Sequence, residues 1–266
     1  MKRTTPRRSA DAAPAHDAEE AQFLARYSAD QFQHPSVAVD LVLATVESGK
    51  LKALLLRRDS HPAKDKWALP GSFVGFEESL DAAAQRVLKQ KAHLNSAFIE
   101  QLYTFGNVRR DPRTRVISVA YFALVPATEL RAALQSAGGA PLALATLVVP
   151  WKGEAGGAVE ARAEDGAHLP LAFDHASILG MAVTRLRGRL RYSPIAYGLL
   201  PQEFTLRMVQ DVHEAILDRA LNKDAFRRRL LAAGEVKPTG QLEKNVGHRP
   251  AEIYRCVPQF PAKREQ

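Results

Sequence analysis

Cysteine is nearly absent from this chain of 266 residues. Cys256 stands alone, which excludes an intramolecular disulfide framework and suits a reducing compartment. No apolar run approaches the roughly 20 residues of a membrane-spanning helix. The N-terminus has no apolar core of the secretory type. The expected location is therefore the cytoplasm, without a membrane partner. An excess of positive charge is lacking from the first 180 residues, where 21 Lys or Arg face 20 Asp or Glu. Residues 181 to 266 hold 16 Lys or Arg against 9 Asp or Glu, a net of +7 out of +8 for the whole chain. Such asymmetry favours a polyanion-binding module in the last third.

What is present alternates strands and helices. Residues 1–21, polar and rich in Ala and Pro, read as a disordered tail. Two apolar β-branched runs flanking "ESGK" give a strand–turn–strand signal, and "WALPGSFV" turns at Pro70-Gly71. A helix is expected over 79–92, with Ser79 or Glu78 near its start. "FIEQLYTFGNV" and "RVISVAYFALVPA" read as strands joined by the charged turn "RRDPRT". They are followed by a short helix with Thr128 as its N-cap and by the strand "ATLVVPWK". Residues 153–167 read as a surface loop, and Asp174 is placed to cap a long helix after it. This is the pattern of a layered α/β domain.

Beyond Pro194 the pattern changes. Thr205 caps an amphipathic helix with Leu206, Val209, Val212 and Ile216 on one face. A second helix, capped by Asn222 and stopped by Gly234, is followed by a β-like pair around a Gly/Lys/Asn loop. Two helices and a hairpin read as a winged helix. In that arrangement Lys223, Arg227 and Arg228 lie on the second helix, and Lys244, His248 and Arg249 on the wing loop. All six are candidate DNA contacts. A basic unit that binds protein or RNA is the alternative.

The stretch "GSFVGFEESLDAAAQRVLKQKAHL" (71–94) is similar to the box of the Nudix hydrolase family. Anchored on Arg86, the box places Glu78 at its first glutamate, and Val87, Gln90 and Lys91 at three helix glutamates. Shifting by one recovers Gly71 and Glu77 but puts Gln85, Arg86, Lys89 and Gln90 at the Arg and the glutamates. Neither register restores the acids. Glutamates at i, i+3 and i+4 would hold Mg²⁺ through hard oxygen ligands, whereas Val offers no ligand and Lys repels the metal. No metal site, no catalytic residue and no Mg²⁺-dependent hydrolysis are expected. An active ADP-ribose-type hydrolase, using acids from elsewhere, is the rival reading.

The order of "QLYTFGNVRRDPRTRVISVAYFALVP", "FDHASIL", "LLPQEFTL", "FRRRLL" and "GHRPAEIYR" resembles the Nudix-related transcriptional regulators of the NrtR type, over about residues 22 to 257. The chain departs from that family at Ser72, which stands at a glycine, and at Asn107, which stands at an acidic position. The resemblance implies a Nudix α/β/α sandwich over 22–192 and a winged-helix domain over 193–258, with a tail at 259–266. It implies a homodimeric repressor of NAD-metabolism genes that binds operator DNA. Its effector would be ADP-ribose or a related NAD-derived nucleotide, bound in the sandwich without a cofactor. Candidate ligand contacts are Arg58, Trp67, Phe73, Arg86, Arg110 and Arg115. The aromatic residues among them suit a base, and the guanidinium forks a diphosphate.

Overall fold

The structure, a computed structural model, describes residues 13–28, 31–139, 141–190, 194–244, 247 and 249–257. They fall into two units that divide between 35 and 36. In the first unit a helix, α1, spans Ala13–Arg26. It overlaps the stretch expected to be a tail, because "AHDAEEAQFLAR" is built almost wholly from good helix formers even without an apolar period. After the helix the Tyr27 ring stands between Phe23 and Phe32, with centroids 5.8 and 6.3 Å away. Residues 1–12 and the tail 259–266 lie outside the described residues.

The second unit is built on a mixed sheet. Its strands are β1 (Ser36–Glu47), β2 (Lys50–Arg57), β3 (Trp67–Ala68), β4 (Gly71–Phe73), β5 (Glu100–Phe105), β6 (Val116–Leu124), β7 (Leu142–Val148), β8 (Glu160–Arg162) and β9 (His168–Leu169). The order is β5-β6-β1-β2-β7-β8-β9, with β3 on β2 and β4 on β1. β1 and β6 run parallel, with Asp40 opposite Ala120. β8 lies inside the stretch expected to be a loop. Three residues are too few to display a period, yet Val159 and Ala161 are buried.

Helices cover both faces, and the two-residue period of the strands assigns each side chain to one of them. Val39, Leu41 and Leu43 of β1 pack against α2 (Leu80–Lys91) and α3 (Ala127–Ser136). Val42 and Ala44 face the opposite core, with Ile178, Leu179 and Val183 of α4 (His175–Arg189). Asp40 is in phase with this second set, which explains how a carboxylate comes to be buried at one end of that core.

Ser79 caps α2, its Oγ accepting from the Ala82 N–H at 3.1 Å. Thr128 does not cap α3: the N-cap is Pro126, without a side-chain bond. Asp174 occupies the N-cap of α4 but makes no side-chain capping bond there, because its carboxylate is held elsewhere.

A 3-10 turn, Pro194–Leu199, leads into the winged helix: β10 (Phe204–Thr205), α5 (Leu206–Leu217), α6 (Lys223–Ala232), β11 (Val236–Leu242) and β12 (Glu252–Cys256). The strands pair in the order β10-β12-β11. Thr205 and Asn222 cap α5 and α6 as the sequence indicates. Gly234, at φ +67°, stops α6. The apolar stripe of α5 is shared between two cores. Leu206 and Val209 join Phe226, Leu230 and Tyr254, whereas Val212 and Ile216 join the sandwich. The helix is thus common to both domains.

Candidate ligand cleft and nucleic-acid interface

At the buried end of β1 the loop before β6 and the start of α4 converge. Arg110 donates from Nε and Nη2 to the two oxygens of Asp174, at 2.9 and 2.8 Å, and from Nη2 to Asp40 Oδ2 at 3.4 Å. Asp40 Oδ2 also accepts from the Ser118 hydroxyl at 2.5 Å. The Leu69 N–H donates to His175 Nδ1 at 2.9 Å, so the ring proton sits on Nε2, facing Asp40 Oδ1 at 3.7 Å. Burial pushes the His175 pKa below its ordinary value, against the pull of Asp40, and the ring is neutral at pH 7. β4 crosses Asp40 so closely that a Cβ at Gly71 would collide with the carboxylate. Glycine is required there.

Two adjoining hollows open on this network and share Arg110 and Phe173. One, of about 200 Å³, is lined by Arg58, Phe73, Arg110, Arg113, Phe173 and His175. The other, of about 630 Å³, is lined by Lys66, Asn107, Arg109, Arg110, Phe173 and Asp174. Arg58 lies over the Phe173 ring at 5.0 Å, and Arg113 over Phe73 at 5.2 Å. Arg113 is also bidentate to Asp111, at 3.0 and 2.7 Å, which holds that carboxyl below its usual range. A cleft with five cationic side chains and two ring faces can take an anion attached to an aromatic group.

Of the ligand residues singled out by sequence, Arg58, Phe73 and Arg110 meet here. Three do not line the cleft. Trp67 packs against the α4-side core, its backbone bonded to Pro170 and Ala172. Arg115 donates to the Gly106 carbonyl at 2.8 Å and ties the loop to the start of β6. Arg86 supports the wall from behind: it pairs with Glu78 and reaches Ser72 Oγ at 3.3 Å and the Phe73 carbonyl at 3.0 Å. Arg86 lowers the Glu78 carboxyl to about 2, and the pair joins Arg86 to the first glutamate of the register anchored on it. Val87 is fully buried, whereas Gln90 and Lys91 are exposed. Among the described residues no group of three or more His, Cys, Asp or Glu could hold a metal ion.

The residues that sequence reasoning missed are Asp40, Phe173 and His175, and Asp174 in any role beyond capping. A signal existed for Asp40. It is a lone carboxylate within "VAVDLVLA", in phase with inward-facing residues, and such a group needs a buried partner.

The second charged region lies on the winged helix. Phe226 and Leu230 turn α6 inward, at i and i+4. Lys223 and Arg228 are exposed, and Arg227 is half-buried, with its Nε enclosed and unpartnered. Arg229 lies over Phe226 at 5.4 Å, toward the sandwich. Glu243 and Ala251 close the base of the wing through bonds of 2.9 and 3.1 Å. Beyond that closure Lys244 and Arg249 are exposed, and His248 lies outside the described residues. No helix among the described residues is long and apolar enough to cross a membrane.

Comparison with known proteins agrees with both halves. The family model for the NUDIX domain matches residues 34–138, and that for the NrtR DNA-binding winged helix domain matches 196–256. The "ADPR responsive transcriptional repressor NtrR" of Acinetobacter baylyi is 36% identical over 238 residues, which is 89% of this chain and 88% of that protein. The crystal structure of Shewanella oneidensis NrtR complexed with a 27mer DNA is 33% identical, with a TM-score of 0.67 over 84% of this chain and 94% of that one. An ADP-ribose pyrophosphatase of Methanocaldococcus jannaschii is 35% identical over 101 residues, 38% of this chain and 57% of that protein. A Nudix sandwich and a winged helix joined in one chain, similar over nearly the full length to a transcriptional repressor, mean that this chain belongs to the NrtR family of Nudix-related transcriptional regulators.

Proposed function

We propose that this chain is a cytoplasmic, homodimeric repressor of NAD-metabolism genes. It binds operator DNA through its winged helices and answers to ADP-ribose or a related NAD-derived nucleotide bound in the cleft. The observation that carries the reading is similarity over 89% of this chain to an ADPR-responsive repressor, across both the sandwich and the winged helix. The cleft adds chemical support: guanidinium forks at Arg58 and Arg110 suit a diphosphate, and Phe73 and Phe173 suit a base. A diphosphate competes with Asp174 for Arg110. Binding therefore rearranges an ion network that already exists, and the differential contact between free and bound states is what shifts the population. Exposed Lys223, Arg228, Lys244 and Arg249 supply phosphate and base-edge contacts. Two copies read half-sites about one helical turn apart.

The same cleft does not hydrolyse its ligand. At the metal positions of the box stand a buried Val87 and the exposed Gln90 and Lys91, a donor set that does not fit a divalent cation. The similarity to an ADP-ribose pyrophosphatase gives the rival its footing. Mg²⁺-dependent release of AMP from ADP-ribose by the purified chain would establish that rival. The reading itself is tested by fluorescence anisotropy on a duplex from the upstream region, at fixed salt, titrated with ADP-ribose. A specific complex whose affinity changes with ligand is expected. Binding that does not distinguish that duplex from random DNA would overturn it.

A further inference from the structure

We propose that Arg187 is the residue through which the nucleotide cleft acts on the winged helix. This rests on the reading of the cleft as the effector site. Near each of its two ends α4 buries a basic side chain, His175 and Arg187. At its start, Asp174 and His175 belong to the ion network around Arg110. Twelve residues on, about 18 Å along the helix axis, Arg187 is 3% exposed. Among the described residues it has no carboxylate within ion-pair distance. Its guanidinium instead joins three segments. Nε donates to the Ile216 carbonyl in the last turn of α5 at 2.9 Å, and Nη1 donates to the Gly153 and Trp151 carbonyls at 3.0 and 3.4 Å. The guanidinium carbon, Cζ, lies over the Trp151 ring, 4.9 Å from its centre.

An aliphatic side chain would fill this space without the cost of burying a cation. A fork does what an aliphatic chain cannot: it fixes the position of α4 against the end of α5 and the loop at 151–153. Ile216 carries both duties on α5, since its side chain packs in the sandwich core while its carbonyl accepts from Arg187. The other half of α5 belongs to the winged-helix core, next to α6 and Arg228. Beside this joint lies a groove of about 940 Å³, lined by Trp151, Arg187, Leu217, Arg219 and Arg229 among others. It leaves one side of the joint between α4, α5 and α6 open rather than packed. A ligand that draws Arg110 from Asp174 releases the start of α4. The helix moves as a rigid body, and the fork carries the shift to α5, because packed elements pass on small displacements rather than absorb them.

The test uses the full chain and the replacement Arg187→Met, which keeps most of the aliphatic stem and removes the fork. ADP-ribose affinity and ligand-free DNA affinity are expected to stay within about twofold of wild type. The ratio of DNA affinities without and with saturating ADP-ribose is expected to collapse toward 1, from a wild-type ratio in the usual range of about 5 to 150. Arg187→Lys, which keeps the charge but not the planar fork, is expected to retain part of the ratio. Both affinities intact with an unchanged ratio would overturn the proposal and leave the reading of the cleft standing. A wild-type chain that binds DNA without any response to ADP-ribose would overturn both. Should neither variant fold, hydrogen exchange on the wild-type chain decides. Altered protection at 151–154 and 216–219 on adding ADP-ribose is expected, and unchanged protection there, with binding demonstrated, refutes the coupling route.

Discussion

Arg110 in the cleft is 9% exposed and holds Asp174 at 2.8 Å and Asp40 at 3.4 Å. Arg228 on α6 is exposed, on a helix whose inward positions are taken by Phe226 and Leu230, and has no ion-pair partner among the described residues. The same side chain serves two purposes. The buried one already has carboxylates around it, so an anionic ligand must displace them, and displacement moves the elements that carry them. The exposed one has only water and counterions to lose, so it can meet a polyanion without rearranging the fold, and its contribution fades with salt. In the proposed reading, sensing and binding are separated by burial.

The largest test of that contrast is Arg110→Ala. It leaves Asp40 and Asp174 in a low-dielectric site without their cation, and a loss of about 3–5 kcal/mol is expected, read from urea unfolding. A loss below about 1 kcal/mol would mean that water already screens the network. Next comes the double change Arg228→Ala with Arg249→Ala. A loss of about 2–4 kcal/mol in operator affinity is expected, together with a shallower salt dependence. Fold stability should change by no more than about 0.5 kcal/mol. Unaltered affinity would remove the winged-helix face from the interface. A double mutant that unfolds would show that these arginines are structural, erasing the contrast.

Acid supplies a third test. His175 and His213 both have folded pKa values lowered by burial. Below the unfolded value of about 6.5 the unfolded chain therefore binds protons that the fold refuses. Stability is then fully present above about pH 6.5 and declines as pH falls, by up to about 1.4 kcal/mol per pH unit for each ring. Urea midpoints at pH 7.5, 6.5 and 5.5 should fall in that order. A flat profile would mean that burial holds neither ring neutral in the fold. The smallest effect is expected from Asn222→Ala, which removes the bond from Ala225 N–H at 2.9 Å that starts α6. About 1 kcal/mol of stability should go, with DNA affinity little altered once the chain is folded; a much larger loss of affinity alone would place Asn222 at the DNA.

Most of the elements could be read locally. The caps at Ser79, Thr205 and Asn222, the stop at Gly234 and the hairpin after it follow from residues that satisfy or limit their own backbone. The exceptions are instructive. Asp174 sits at a helix start yet does not cap it, because a buried cation 64 residues away holds it more strongly than a backbone N–H would. Thr128 has the right chemistry for an N-cap, but it lies inside α3, whose N-cap is Pro126. The apolar stripe of α5 is a correct reading of one face, but its division between two cores appears only once the sandwich is assembled.

The sequence by itself determined most of the succession of elements, the residue types along the box helix and the concentration of positive charge in the last third. Each depends on residue type and near-neighbour spacing. Only the tertiary structure decided which charges meet. Asp40, Arg110, Asp174 and His175 are brought together by the parallel pairing of β1 with β6 and the packing of α4 across the sheet. Trp67 and Arg115, equally suited by chemistry, were carried elsewhere. Pairing across 64 or more residues is set by sheet order and by which face a strand turns to the core, and no local pattern contains either.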